Sequence, residues 1–277
     1  MNIGKYIGLY SEDLRLKNYS KNTIENYASQ VKIFLEYFEK AATKPSEISE
    51  RQIKQWLLLA KSVNSIKHRI SAIKLFYSLT GKQPLKFRFI EYPRANKKLP
   101  IVLSQDEIQR MFNVCDNLKH KVILSLLYSC GLRVSELINL KWEHIDRNRM
   151  IINIIAAKGN KDRQVALPQI IIPLLEKYYY TYHSQIYVLN GQFDIQYSET
   201  SVRQVIKQLA QKAKINKRVY THLIRHCTFT HMVEQGIDIN LIQKLAGHQN
   251  VKTTMIYCHL SDNLISKIKS PIEAIKL

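Results

Sequence analysis

Acidic residues are scarce in this chain of 277 residues: 22 Asp and Glu stand against 42 Lys and Arg, a formal net charge of +20. No carboxylate cluster of the kind that holds catalytic metal ions stands out, and no Gly-rich phosphate loop occurs. Metal-assisted hydrolysis and nucleotide-driven chemistry are therefore not indicated. Cysteine is sparse as well, with four residues (Cys115, Cys130, Cys227, Cys258) and no CxxC pair. That pattern excludes a disulfide framework and reads as reduced thiols of the cytosol. No apolar run approaches the roughly 18–20 residues that span a bilayer. Charges at Lys5, Glu12, Asp13, Arg15 and Lys17 interrupt the region where a secretory signal would carry its apolar core. These absences predict a soluble, cytoplasmic protein with no membrane association.

What is present is positive charge, and it is spread along the chain. Residues 1–98 hold 19 Lys and Arg against 8 Asp and Glu, and residues 99–277 hold 23 against 14. The excess is thus no detachable tail. A polyanion bound between two basic lobes accounts for that distribution; a solvated basic surface is the plainer alternative.

The pattern along the chain predicts a mainly α-helical protein with a small β-hairpin in its second domain. In residues 1–80, Ser20 is placed to cap a helix in which Ile24, Tyr27, Val31, Phe34, Leu35 and Phe38 recur at three- and four-residue steps. Two further helices are expected over 48–60 and 66–79. Breakers then gather at Gly81-Lys82-Gln83-Pro84 and again around Pro93 and Pro100, with several cations among them. We place a helical domain at 1–92, a linker at 93–100 and a second domain with a C-terminal tail at 101–277. That second domain opens on Ser104-Gln105-Asp106-Glu107, a capping box. Residues 151–155 and 163–167 are rich in β-branched side chains and flank Ala157-Lys158-Gly159-Asn160-Lys161-Asp162, which predicts a hairpin with Lys158 at its tip. Helices follow at about 169–182, 200–214, 221–235 and 239–246, the last two stopped by Gly236 and Gly247. Residues 185–198 fit neither pattern.

The chemistry gathers near the end. His222, Arg225, His248 and Tyr257 fall within 36 residues, and Arg133 lies upstream in Gly131-Leu132-Arg133-Val134-Ser135-Glu136-Leu137. His222 and Arg225, at i and i+3 near the start of a helix capped by Thr221, aim two donors at one anion. Arg133 opens a helix after a tight turn, with Glu136 at i+3 able to hold its guanidinium from behind. The planar guanidinium fork grips two phosphate oxygens at once, as lysine cannot. Each residue alone has a plain structural reading: a cap, a surface ion pair, a turn lysine. His226 and His231 are read as structural. Together, two arginines, two histidines and a tyrosine suit the task of holding a phosphodiester while a phenolate attacks it.

The joint pattern resembles the tyrosine recombinase (phage integrase) family, of a simple two-domain, Xer-like kind. The strings around Arg133, His222-Leu223-Ile224-Arg225-His226, Leu245-Ala246-Gly247-His248, and Thr253-Thr254 with Tyr257 look like its motif boxes. The segment 157–163 looks like its hairpin lysine box. The resemblance spans about residues 100–265 and extends more weakly to Asn18-Tyr19-Ser20-Lys21-Asn22-Thr23-Ile24, which looks like the family's helical core-binding (SAM-like) domain. Three features depart from the pattern or stand out against it. Cys227 sits where many members have Ser or Thr, Cys258 directly follows the tyrosine, and no accessory arm-binding domain is expected ahead of the helical region.

The resemblance implies a site-specific DNA recombinase working through a 3′-phosphotyrosyl intermediate, with neither ATP nor metal as cofactor. Tyr257 would be the nucleophile, Arg133 and Arg225 would hold the non-bridging oxygens, and His222 and His248 would add hydrogen bonds or take the phenol proton. Lys158, with Lys161 as competitor, would protonate the leaving 5′-oxygen. A phenol of pKa near 10 is about one part in a thousand ionised at neutral pH, a handicap of about 4 kcal/mol. Double-stranded DNA with inverted-repeat core sites is the implied partner, bound by a homotetramer in the synaptic complex. Lys21, Lys67, Arg69, Lys97, Lys98, Lys161 and Arg163 are the cations expected on the DNA. A type IB topoisomerase, a catalytically lapsed DNA-binding protein and a zinc module built on His226, Cys227, His231, Cys258 and His259 are the rival readings.

Overall fold

A computed structural model describes residues 1–84, 90–94, 101–155, 162–192 and 195–260, the last two positions through their backbone only. The chain divides into two compact units, Met1–Lys97 and Lys98–Leu277.

The first unit contains four α-helices among its described residues: α1 (Ile3–Leu16), α2 (Lys21–Tyr37), α3 (Glu50–Leu58) and α4 (Val63–Leu79). Serine sets the start of three of them. The side chains of Ser20, Ser49 and Ser62 accept from Thr23, Gln52 and Ser65, satisfying backbone N–H groups that the first turn leaves orphaned. The cap at Ser62 explains why α4 begins three residues before the expected 66. The expected apolar stripe of α2 buries Val31, Phe34 and Leu35. Phe34 meets Trp56 and Tyr77 edge-on, with ring centroids 5.1 and 6.2 Å apart. Tyr10, Trp56 and Phe76 complete this aromatic core.

The second unit opens with α5 (Gln105–Asn113), where Ser104 and Glu107 form the expected capping box. Then come α6 (Leu118–Ser129), α7 (Val134–Ile138), strands β1 (Ile145–Asp146), β2 (Ile151–Ile154) and β3 (Arg163–Ala166), and helices α8 (Ile172–Tyr182) and α9 (Glu199–Lys212). The site helices follow as α10 (Thr221–Glu234), α11 (Ile239–Ala246), α12 (Val251–Thr254) and α13 (Ile256–Leu260). The strands form one antiparallel sheet in the order β1-β2-β3, with Ile151 opposite Ala166 and Ile154 opposite Arg163. The short β1 was not expected. The hairpin was, and its two strands pair antiparallel on either side of 155–162. Within 185–198 the described residues include two isolated bridges, Lys141 with Tyr187 and Asn190 with Gln196.

Helix α6 is apolar nearly all round, as befits a helix enclosed by others, and packs against α10. Helix α10 is also enclosed, burying Leu223, Ile224, Cys227 and Phe229. It carries Arg225, 1% exposed, in the same interior. A buried guanidinium is tolerated only when its hydrogen bonds are met.

Candidate active site

The site forms where helix ends meet around Arg225. Gly131, at φ +58°, turns the chain between α6 and α7, and a Cβ there would stand 2.7 Å from the Phe229 ring. The Gly131 carbonyl accepts from Arg225 Nη1. Arg225 Nη2 donates to the carbonyl of Ala246, the last residue of α11. The guanidinium also lies 4.8 Å from the centre of the Phe229 ring, one turn further along α10.

The carbonyls that end a helix have no partner within it and sit at its negative pole. Ala246 O meets a second guanidinium there: Arg133 Nη2 donates to it at 3.4 Å. Two arginines distant in sequence thus converge on one oxygen atom. Arg133 is steadied from behind as expected, with its Nη1 2.7 Å from Glu136 Oε1 and its backbone N–H 2.8 Å from Oε2. Its side chain remains 27% exposed, so part of the fork faces solvent. Burial, and then the neighbouring Arg133, lower the Arg225 pKa to about 10, still charged at neutral pH.

Gly247, at φ +63°, ends α11 and delivers His248. His248 Nδ1 is 3.0 Å from Thr254 Oγ1, and its ring stacks on Tyr257 at 6.1 Å and 20°. Tyr257, on α13, is 2% exposed and also contacts Phe229 and His226. No described residue makes a hydrogen bond with its hydroxyl. Burial raises its pKa while the charges of Arg225 and Arg133 pull it down. His248 is held at a pKa of about 4, chiefly by burial and then by those arginines. It is therefore a neutral base at physiological pH. His222, exposed on the first turn of α10, is also lowered, by partial desolvation and then by Arg225 and Arg133.

Five of the six expected catalytic side chains, Arg133, His222, Arg225, His248 and Tyr257, thus form one linked cluster. Lys158 and its competitor Lys161 lie outside the described residues, as do Lys97 and Lys98. An open groove of about 860 Å³ borders the cluster, lined by Arg163, Asn240, Gln243, Lys244 and His248 among others. Another cavity, of about 350 Å³ between Trp142 and α8, contains none of the catalytic set.

Comparison with known proteins agrees with this geometry. The phage integrase family model matches residues 102–263, and that for the phage integrase N-terminal SAM-like domain matches 9–86. The chain belongs to the phage integrase family, the tyrosine recombinases. A putative integrase/recombinase, y4qK, of Sinorhizobium fredii is 32% identical over 95% of this chain and 87% of its own. A tyrosine recombinase of Thermosipho africanus is 33% identical over 93% and 96%. The crystal structure of XerA recombinase superposes with a TM-score of 0.58 at 29% identity, covering 97% of this chain and 100% of that one.

Against this tyrosine recombinase frame, several expectations need correction. Thr221 does not cap α10. The cap position is Tyr220, without a side-chain bond, and Thr221 is buried in the first turn. Arg69, expected on DNA, stacks on Trp56 at 4.3 Å and donates one bond, from Nη1, to that residue's carbonyl at 3.1 Å. Arg163, also expected on DNA, has a side chain only 7% exposed and is tied to Glu136. Period-two alternation in β3 gave a signal for this, since Arg163 shares a face with buried Val165. Lys21 is exposed at the start of α2, and Lys67 is half-buried on α4.

His231 is structural in the way expected, its two ring nitrogens bonded to Tyr128 Oη and Leu103 O. Those bonds, and the Leu103 N–H donated to Cys227 Sγ, engage two of the atoms the zinc reading required. His226 is different. Its ring lies between His222, at 4.6 Å, and Tyr257, at 5.7 Å, and its buried Nδ1 has no hydrogen-bond partner among the described residues. The sequence reading missed its place beside Tyr257. The only available signal was its helical step from His222, at i+4.

Proposed function

We propose that this chain is a site-specific recombinase that cuts and rejoins double-stranded DNA through a phosphotyrosine at Tyr257. The convergence of Arg133 and Arg225 on Ala246 O, within reach of the same buried phenol, carries the reading. A phosphodiester repels nucleophiles, and its pentacovalent transition state gains further negative charge. Two guanidinium forks fixed in a largely desolvated pocket stabilise that charge without reorganising at the moment of reaction. One of the neutral histidines, His248 or His222, takes the proton that the phenol loses as it attacks, and the other donates a hydrogen bond to the developing charge. The bond from phosphorus to the 5′-oxygen breaks as the bond to the tyrosine oxygen forms. The ester's energy is retained, and a 5′-hydroxyl can reverse the step on a new strand.

Lys158 is the proposed acid for the leaving 5′-oxygen. The partner is duplex DNA bearing inverted core sites, and the exchanging assembly is a homotetramer, since four strands must be cut. The work belongs in the cytoplasm with the chromosome, in keeping with reduced cysteines; no described helix is long and apolar enough to cross a membrane. The division at 1–92, 93–100 and 101–277 supplies a DNA-holding domain, a linker and the catalytic domain.

The test uses a core site selected from random-sequence duplexes. Lys158→Ala is expected to slow cleavage sharply, and a 5′-bridging phosphorothiolate, whose sulfur leaves without a proton, to restore it. No restoration would remove Lys158 from the role.

A further inference from the structure

Arg163 is the most fully engaged cation among the described residues, yet it has no part in the proposed reaction. Its Nη1 and Nη2 lie 2.6 and 2.7 Å from the two oxygens of Glu136, and its Nε donates to Leu245 O at 2.8 Å. A Cβ on Gly247 would stand 2.8 Å from Arg163 Cδ, so only glycine lets the side chain pass beneath the turn that delivers His248. One side chain from β3 therefore touches both the residue behind Arg133 and the turn before His248.

The arrangement around Glu136 is saturated. Each carboxylate oxygen accepts one bond from Arg163 and one from Arg133, the latter through its side chain at Oε1 and its backbone N–H at Oε2. Burial alone would raise the Glu136 pKa, but Arg163 first and Arg133 second hold it at about 2. It is a carboxylate at every working pH. A lone carboxylate 2.7 Å from Arg133 would cancel much of the positive potential that Arg133 presents to a phosphate, and would compete for its fork. With Arg163 in place, Glu136 and Arg163 together carry no net charge, and Arg133 keeps its own.

We propose that Arg163 is a positioning residue of the phosphate pocket: it neutralises Glu136 and fixes its two oxygens, so that Arg133 presents its positive potential to, and stays aimed at, the scissile phosphate. This deepens the recombinase reading and rests on it. It also replaces the expectation that Arg163 contacts DNA, because the guanidinium is turned inward with its donors in use.

The experiment is single-turnover formation of the covalent DNA adduct on a nicked suicide duplex, with either a phosphodiester or a neutral methylphosphonate at the scissile position. Wild type, Arg163→Lys, Arg163→Met, Glu136→Gln and the double variant Arg163→Met with Glu136→Gln are compared. Arg163→Met is expected to slow the phosphodiester reaction by roughly 100-fold, the scale of a small misplacement in an oriented site. Arg163→Lys, which keeps the charge but lacks the fork, should lose about tenfold. Two results separate this role from simple support of the fold. The double variant should recover at least about tenfold over Arg163→Met, since no uncompensated carboxylate remains. The Arg163→Met defect should also shrink on the methylphosphonate, which makes less demand on positive potential.

Additive losses in the double variant, or an equal defect on both substrates, would overturn the proposal. So would a fall in DNA affinity with a salt dependence reduced by about one phosphate contact, which marks a direct DNA cation. If Arg163→Met does not fold, Arg163→Lys and the double variant decide the matter by the same ratio between substrates. A wild-type protein that forms no adduct would instead contradict the recombinase reading itself.

Discussion

Four tyrosines are almost wholly enclosed among the described residues, and three of them are hydrogen-bonded: Tyr10 and Tyr77 in the first unit and Tyr178, which donates to Asn190 Oδ1, in the second. In the first unit, Tyr10 Oη donates to Ala72 O at 2.8 Å and Tyr77 Oη to Pro45 O at 2.7 Å. Each is locked as a neutral phenol, its pKa pushed up by burial. In the second unit, Tyr257 is equally buried, yet no described group bonds its hydroxyl, and two arginines work against the effect of burial on its pKa. The same side chain is structural where its oxygen is given a carbonyl, and we propose that it reacts where it faces cations. The interiors as a whole differ in the same way. One is built from aromatic edges around Phe34; the other accepts a buried arginine and a row of neutral histidines beside its apolar core.

The largest expected difference between the units is chemical. Tyr257→Phe should abolish the covalent adduct, a loss of at least about 10⁴-fold in single-turnover cleavage, while DNA affinity stays close to wild type. Residual adduct at more than a trace would show that another nucleophile acts. The matching change in the first unit is Phe34→Ala. It should cost about 3–5 kcal/mol of stability by opening a cavity among Trp56 and Tyr77, measured by denaturant unfolding. The cleavage rate of DNA-saturated protein should be nearly unchanged, and a parallel collapse of that rate would erase the distinction.

An intermediate effect is expected from pH. His226 and His248 are both held at a pKa of about 4, by burial first, against an ordinary value of 6.5. Between those values the unfolded chain binds protons that the folded second unit does not. Stability of that unit should therefore be full above about pH 6.5 and fall as the pH drops toward 4. Thermal melts followed by Trp142 fluorescence in a Trp56→Phe variant would report it, and a melting temperature unchanged from pH 7 to 5 would contradict it. The smallest effect is that of Tyr77→Phe. Loss of one buried hydrogen bond should cost about 1 kcal/mol and leave adduct formation untouched.

The legibility of the chain in its sequence follows the same division. Helices bounded by Ser20 and Ser104, and the stop at Gly247, were readable because capping and left-handed turns are local chemistry. The motif residues were readable because their types and order are distinctive together. What the sequence did not reveal depends on partners brought from afar. Arg69 and Arg163 counted as surface cations until Trp56 and Glu136 were seen to hold them. Thr221 resembled a cap, yet it is buried within the first turn of α10, which leaves that position to Tyr220. The place of His226 beside Tyr257 depends on α13 folding back against α10, which no local spacing reports.

The central claim is that five side chains scattered over α7, α10, α13 and the turn after α11 act on one phosphorus atom, with Tyr257 as the attacking group. Trapping the protein on a nicked suicide duplex, digesting it and sequencing the DNA-linked peptide by mass spectrometry tests this directly. The account predicts a single modified residue, Tyr257, joined to a 3′-phosphate and leaving a free 5′-hydroxyl. A linkage to Cys258 or to any other tyrosine, or a 5′-phosphate linkage, would contradict it.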